Sequence, residues 1–149
     1  RTSRPHEYTH SMLNSPGDDN ALFTAGPAHG APPQNVRLGA DDFLLDHLGG
    51  GFDLLYFTDA ASLPQPLQDV IAEVRGRGVP VRVTAVGSAT PVQGADQTFA
   101  DADGHFLQRY GISASGGAYL LRPDQHVCAR WLTLDATRLQ AAFHQALPQ

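Results

Sequence analysis

A chain of 149 residues, 42% apolar and 17% charged, is long enough for one domain with a hydrophobic core and too short for two comfortable ones. Ten Lys and Arg against fifteen Asp and Glu leave a net charge of −5, with the cations scattered, so there is no electrostatic footprint for a nucleic-acid backbone. The longest apolar stretches, such as Leu54 to Phe57 and Ala118 to Leu121, fall far short of a bilayer span, and a single cysteine excludes an internal disulfide framework. The expectation is a soluble, cytoplasmic protein with no membrane partner. The opening Arg1 fits a cut from a longer polypeptide.

Residues 1–34 are rich in Pro, Gly, Asn, Asp and Ser, with no sustained period of 2 or 3.6, and read as an arm or linker. Tyr8, Met12, Leu13, Leu22 and Phe23 within it suit a segment laid along a neighbouring surface. His6-Glu7-Tyr8-Thr9-His10 has the H-E-x-x-H spacing of zinc hydrolases, but Pro5 and the polar surroundings deny it the buried amphipathic helix and third ligand that zinc requires.

The domain proper, residues 35–149, opens with a short strand over Asn35–Leu38. Asp41 is placed to cap a helical turn through Leu44, Leu45 and Leu48, ended by Gly49-Gly50-Gly51. Phe52–Phe57 is a continuous apolar run broken only by Asp53, the signature of a strand buried on both faces. Pro64 and Pro66 suit a helix start, and Leu67, Val70, Ile71 and Val74 repeat at i, i+3, i+4, i+7. The β-branched segment Val79–Val86 completes a parallel βαβ unit. Asp103 is placed to cap a short helix with Phe106, Leu107 and Tyr110 inward and Gly111 at its end. Strands at Ala118–Leu121 and His126–Leu132 flank a type I turn at Arg122-Pro123-Asp124-Gln125. Asp135 caps a last helix that buries Leu139, Ala142, Phe143 and Ala146.

A parallel βαβ half followed by a hairpin and a final helix is the thioredoxin-like α/β plan: a central mixed sheet with flanking helices, here with a peroxiredoxin-like N-terminal extension. Its redox chemistry needs a C-x-x-C where the first core strand meets its helix, and a cis-proline before the hairpin. Those places hold Thr58-Asp59-Ala60-Ala61 and Ser115-Gly116-Gly117. Cys128 lies mid-strand, where simple alternation gives it the same face as His126 and Arg130, and reads as a packing residue. Asp101-Ala102-Asp103-Gly104 lacks the ligand spacing of a calcium loop. Gly111-Ile112-Ser113-Ala114-Ser115 is no nucleophile elbow, and no glycine-rich phosphate cradle occurs. No catalytic, cofactor-binding or metal-binding residue emerges. The polar hairpin remains, with Arg122, Asp124, His126, Arg130 and Trp131 as candidate interface residues, because Trp and Arg are favoured anchors.

Glu7-Tyr8 with His10-Ser11, Gly26-Pro27 with Gly30-Ala31-Pro32, Gly49-Gly50-Gly51-Phe52 with Leu54-Leu55, Asp103-Gly104 with Tyr110-Gly111, and Leu121-Arg122-Pro123-Asp124 follow one another in an order that resembles a known domain. It is the C-terminal thioredoxin-like domain of the class A FAD-dependent aromatic hydroxylases, the group of hydroxyphenylpropionate hydroxylase, pentachlorophenol monooxygenase and phenol hydroxylase. Gln125 stands where that pattern has glycine, and Arg130-Trp131 reverses its Trp-Arg order. The resemblance implies a parent enzyme that uses FAD, NAD(P)H and oxygen to hydroxylate a phenolic ring. It also implies a non-catalytic role for this piece in packing or dimerisation, with the flavin-binding domains of the parent chain or a second copy as partner. The alternatives are a free-standing thioredoxin- or peroxiredoxin-like redox protein and a module that binds a small aromatic molecule.

Overall fold

The computed structural model describes residues 18–148, so the H-E-x-x-H segment and the apolar residues of the first seventeen lie outside the described part. In chain order the elements are a 3-10 turn (Asn20–Leu22), β1 (Arg37–Gly39), β2 (Asp42–Phe43), a second 3-10 turn (Leu44–His47), β3 (Phe52–Phe57) and α1 (Gln65–Gly76). They continue with β4 (Val81–Val86), β5 (Gln97–Phe99), α2 (His105–Tyr110), β6 (Ala118–Leu121), β7 (Val127–Trp131) and α3 (Ala136–Ala146). β1 and β2 form a small antiparallel pair, and the other strands make one mixed sheet in the order β5-β4-β3-β6-β7.

β3 is central because every one of its side chains can be buried. Phe52, Leu54 and Tyr56 enter one core with Leu67, Val70, Ile71 and Val74 of α1 and Leu139, Ala142 and Phe143 of α3. Leu55 and Phe57 enter a second core with Phe106 and Tyr110 of α2, Leu44, Leu48 and Val36. The result is a layered α/β sandwich. The crossover from β3 through α1 to β4 is parallel, with Phe52 to Phe57 in register with Val81 to Val86, as the βαβ pattern requires. β6 runs antiparallel to both β3 and β7. Among the described residues no helix is long and apolar enough to cross a membrane.

Several local expectations are corrected by side-chain geometry. Asp41 caps nothing: the second 3-10 turn begins after Phe43, with no side-chain cap, and Asn35 Oδ1 accepts from the Leu45 amide instead. Asp101, not Asp103, serves the start of α2, its two carboxylate oxygens accepting from the Phe106 and Leu107 amides. Asp135 does cap α3, through the Arg138 amide at 2.8 Å. β5 was not expected, since three half-buried residues after a loop carry too short a pattern to read.

The β6–β7 hairpin contains a bulge. Leu120 pairs with Ala129 but Leu121 pairs with Val127, so Cys128 is the extra residue. The bulge breaks the alternation on which Cys128 was assigned the face of Arg130: Cys128 joins Ala129 and Trp131 in the core under α1 and α3, while Val127 enters the opposite core. At the hairpin tip the Gln125 amide donates to the Arg122 carbonyl, and Gln125 itself sits at φ +64. That is the left-handed region, which accounts for the glycine in the resembled pattern.

Candidate functional site

The five hairpin residues singled out in the sequence do not form one surface. Arg122, Asp124 and His126 stay at the tip: Arg122 Nη2 lies 3.0 Å from Asp124 Oδ2, and His126 Nδ1 lies 3.2 Å from Asp124 Oδ1. Desolvation works to raise the Asp124 carboxyl, but hydrogen bonds from Arg122 and from the His126 amide outweigh it and hold the group below its ordinary value. An exposed pair of this kind contributes about 0–1 kcal/mol to stability. Trp131, by contrast, is fully buried and Arg130 is 5% exposed, so neither presents an anchor to a partner.

Arg130 is instead the hub of an internal lock. Its Nε donates to Asn20 Oδ1 at 2.8 Å, its Nη2 to the Asn20 carbonyl at 3.3 Å, and its Nη1 to the Ala25 carbonyl at 3.2 Å and Tyr119 Oη at 3.3 Å. The guanidinium carbon stands 4.3 Å from the centre of the Phe23 ring. Carbonyl, amide and hydroxyl oxygens together with an aromatic face thus carry this buried charge. Tyr119 passes the network on, donating to the Tyr110 carbonyl at 2.5 Å. Burial pushes the Tyr119 hydroxyl up to about 12 against the opposing pull of Arg130, so it remains a neutral donor at every ordinary pH.

Three main-chain bonds and two from β7-side amides to aspartate carboxylates fasten the same segment along the outer edge of β7. Asp19 N donates to the Arg130 carbonyl, Arg130 N to Asp18 Oδ2, Leu132 N to Asp19 Oδ2, Gly30 N to the Val127 carbonyl, and Val127 N to the Ala31 carbonyl, all within 2.8–3.0 Å. His29 Nε2 lies 2.8 Å from Asp18 Oδ2 in a buried pair, and Arg138 of α3 pairs with Asp19. Residues 18–31 are therefore a strap that closes a sheet edge otherwise open to another strand.

The scattered pattern residues meet in space. Gly26, at φ +87, lies so close to Tyr119 Oη and the Tyr110 carbonyl that a Cβ there would collide with both. A Cβ on Gly111 would come 2.5 Å from the Ala25 carbonyl. At the other end of the sheet, a Cβ on Gly49 would come 2.8 Å from Gln125 Nε2. Gly26 with Tyr110-Gly111, and Gly49 with the Arg-Pro-Asp turn, are thus two packing contacts.

Thr58, where the sequence reading expects a redox motif, and Ser115, in the segment where it expects a cis-proline, are brought together. Ser115 Oγ donates to Thr58 Oγ1 at 3.1 Å, Gly116 N to the Phe57 carbonyl at 2.7 Å, and Phe57 N to the Gly117 carbonyl at 2.9 Å. Cys128 lies elsewhere, and burial pushes its thiol up to about 12. We expect native Cys128 to react with a thiol reagent at neutral pH only as fast as the protein opens. Labelling progress curves with and without denaturant check this, and rapid stoichiometric modification of the native chain would contradict it.

Asp53 is the one carboxylate in the central strand and is fully buried. Its Oδ2 accepts from the Gly49 amide at 2.8 Å, and Oδ1 has no partner among the described residues. Desolvation raises its pKa against the pull of that hydrogen bond and of Arg82. With the folded pKa above the unfolded one, the ionised form costs stability at neutral pH, and the cost disappears as pH falls through the folded pKa to below the ordinary carboxylate value. Asp53→Asn, which keeps an acceptor for Gly49, should therefore melt higher than the parent at pH 7, the gap closing on acidification. Thermal scans across that range measure it, and a lower melting point at pH 7 would contradict it.

No family model matches the chain, and no curated protein matches it. Solved structures do. Aklavinone-11 hydroxylase, in a ternary complex with FAD and aklavinone, is 27% identical over 80% of this chain and 21% of its own, with a TM-score of 0.56. Its structural neighbours are flavin enzymes. The flavin-dependent monooxygenase PieE, in complex with FAD and substrate, is 23% identical over 83% of this chain and 21% of its own, at a TM-score of 0.58. The rebeccamycin biosynthetic enzyme RebC with reduced flavin is 20% identical over 89% and 22%, at 0.53. At the last two identities the likeness is one of fold alone. The chain spans about a fifth of the length of these proteins.

Proposed function

We propose that this chain is the thioredoxin-like C-terminal accessory domain of a FAD- and NAD(P)H-dependent aromatic-ring monooxygenase. The observation that carries the reading is the match to aklavinone-11 hydroxylase: four fifths of this chain superposes on one fifth of a hydroxylase that binds FAD and aklavinone. The sheet order β4-β3-β6-β7, with β3 and β4 parallel and the hairpin antiparallel, supports the thioredoxin-like plan. A role in packing fits a domain whose most elaborate polar network fastens its own strap. It fits, too, the Thr58-Asp59-Ala60-Ala61 and Ser115-Gly116-Gly117 that stand where a redox motif and its cis-proline would. Partners on this reading are the flavin-binding domains of the same polypeptide or a second copy, in a cytoplasmic enzyme.

The coding sequence upstream of Arg1 tests the proposal. A continuous reading frame with a strand-associated glycine-rich dinucleotide fingerprint is expected. A stop codon followed by an independent start, with no such fingerprint, would refute it. Incubating the 149-residue chain with FAD, NADPH and a phenol gives the complementary test, since hydroxylation by the chain alone would also refute it.

A further inference from the structure

At the start of β3 a carboxylate lies wholly inside the sheet with one oxygen bonded and the other bare. Asp53 Oδ2 accepts from the Gly49 amide at 2.8 Å, and Oδ1 has no partner among the described residues. An ionised carboxylate half-bonded in the interior is costly, and the neutral acid costs far less in the same place.

The one donor to Asp53 belongs to a segment with freedom to move. Gly49 and Gly50 sit at φ +102 and +85, and Gly50 has open space where a Cβ would stand. A groove of about 530 Å3 lies beside them, shared with the turn at Gly78 to Pro80. The segment has fixed ends. Upstream, the His47 carbonyl accepts from Arg82 Nη1 and, at 3.2 Å, from Gln97 Nε2. Downstream, the Phe52 amide donates to the Pro80 carbonyl at 3.0 Å. Between those anchors lie Leu48, buried in the second core, and three glycines, which absorb backbone rotation that other residues resist.

The charges nearby leave Asp53 responsive to protons. Arg82, its register partner on β4, gives its hydrogen bond to the His47 carbonyl and attracts the carboxylate only through space. On the second 3-10 turn, His47 pairs with Asp42 and Asp46 is exposed. On the hairpin, Arg122 and His126 both pair with Asp124, and Arg109 of α2 donates to the Asn35 carbonyl. Of these only Arg82 pulls on the Asp53 carboxyl, and burial outweighs both that pull and the Gly49 bond, holding the group above its ordinary value.

We propose that Asp53 and the Gly49–Gly51 turn form a proton-operated latch. With Asp53 neutral the turn lies closed on the carboxyl; with Asp53 ionised it swings towards the groove and water reaches the free oxygen. The closed turn binds the proton more tightly than the hydrated one. Opening therefore grows as pH rises from the ordinary carboxylate value to the raised one, then levels off. The latch does not depend on the flavin reading.

The test follows the isotope-labelled 149-residue chain by NMR from about pH 4 to about pH 8. The Asp53 side-chain carbon reports protonation, and exchange of the Gly49 amide, corrected for its intrinsic pH dependence, reports opening. Gly49 protection should fall along with the Asp53 titration, by up to about tenfold per pH unit, the limit for one proton. Leu55 and Val83, in the sheet interior, should keep theirs. Asp53→Asn should abolish the fall. It leaves His47 and His126 in place, so a response that survives the substitution is theirs and overturns the proposal. So would an Asp53 midpoint at the ordinary carboxylate value, or Gly49 protection that stays flat through the titration. Should the variant not fold, those two readings on the wild-type chain decide alone.

Discussion

Arg130→Ala should lower the unfolding free energy by about 3 kcal/mol, because it strips a buried charged donor from four acceptors at once, the buried Tyr119 hydroxyl among them, and removes the packing of its side chain. The four bonds reach Asn20, Ala25 and Tyr119, and the stacking on Phe23 is lost with them. Arg130→Lys keeps the charge but cannot fork between the Asn20 side chain and the Ala25 carbonyl, so it should recover less than half of the loss. Urea unfolding monitored by the fluorescence of the single tryptophan, Trp131, measures both. A loss below about 0.5 kcal/mol, the ordinary range of surface substitutions, would show that the network is not the lock described.

Gly26→Val should undock the strap while leaving the sheet standing. The new side chain is β-branched, sits at φ +87 and has the Tyr110 carbonyl and Tyr119 hydroxyl in its way. Backbone strain and collision together cost about 3 kcal/mol or more, which exceeds what the strap's hydrogen bonds return once their partners can be hydrated. Hydrogen exchange then separates local from global effects. The amides of Asp19, Gly30, Val127, Arg130 and Leu132, each bonded across the strap, should lose protection. Those of β3 and β4, which bond to each other in the sheet interior, should keep theirs. Uniform loss across the sheet would mean that strap and sheet unfold as one unit, and unchanged protection would mean that Gly26 is not a contact.

The parts of this structure legible in the sequence are those with a repeating pattern. β3 announces itself as Phe52–Phe57 because a strand buried on both faces has little use for polar residues. α1 does so because Leu67, Val70, Ile71 and Val74 mark one stripe. β5 is too short to carry a pattern, and the Cys128 bulge changes the facing of its neighbours without leaving a Gly or Pro to mark it. The lock was illegible for a different reason. Asp18, Asn20, His29 and Tyr119 are ordinary residues in the sequence, and only the fold brings positions 18–29 beside 119 and 130. Arg130 and Trp131 read as interface anchors in the sequence, but burial inside the same chain selects Arg and Trp for the same reasons an interface does. The one signal in the sequence is Gly26, a glycine in a segment with no turn periodicity, which marks a close approach of two backbones.

The most direct test of the central proposal is made on the complete gene product. Deleting the codons for residues 18–148 should leave a protein that still binds FAD and shows flavin absorption, but with a lower melting temperature or a changed oligomeric state. That result is what an accessory packing domain predicts. A deleted protein with unaltered stability and assembly, or a complete gene product that carries no flavin at all, would contradict the account.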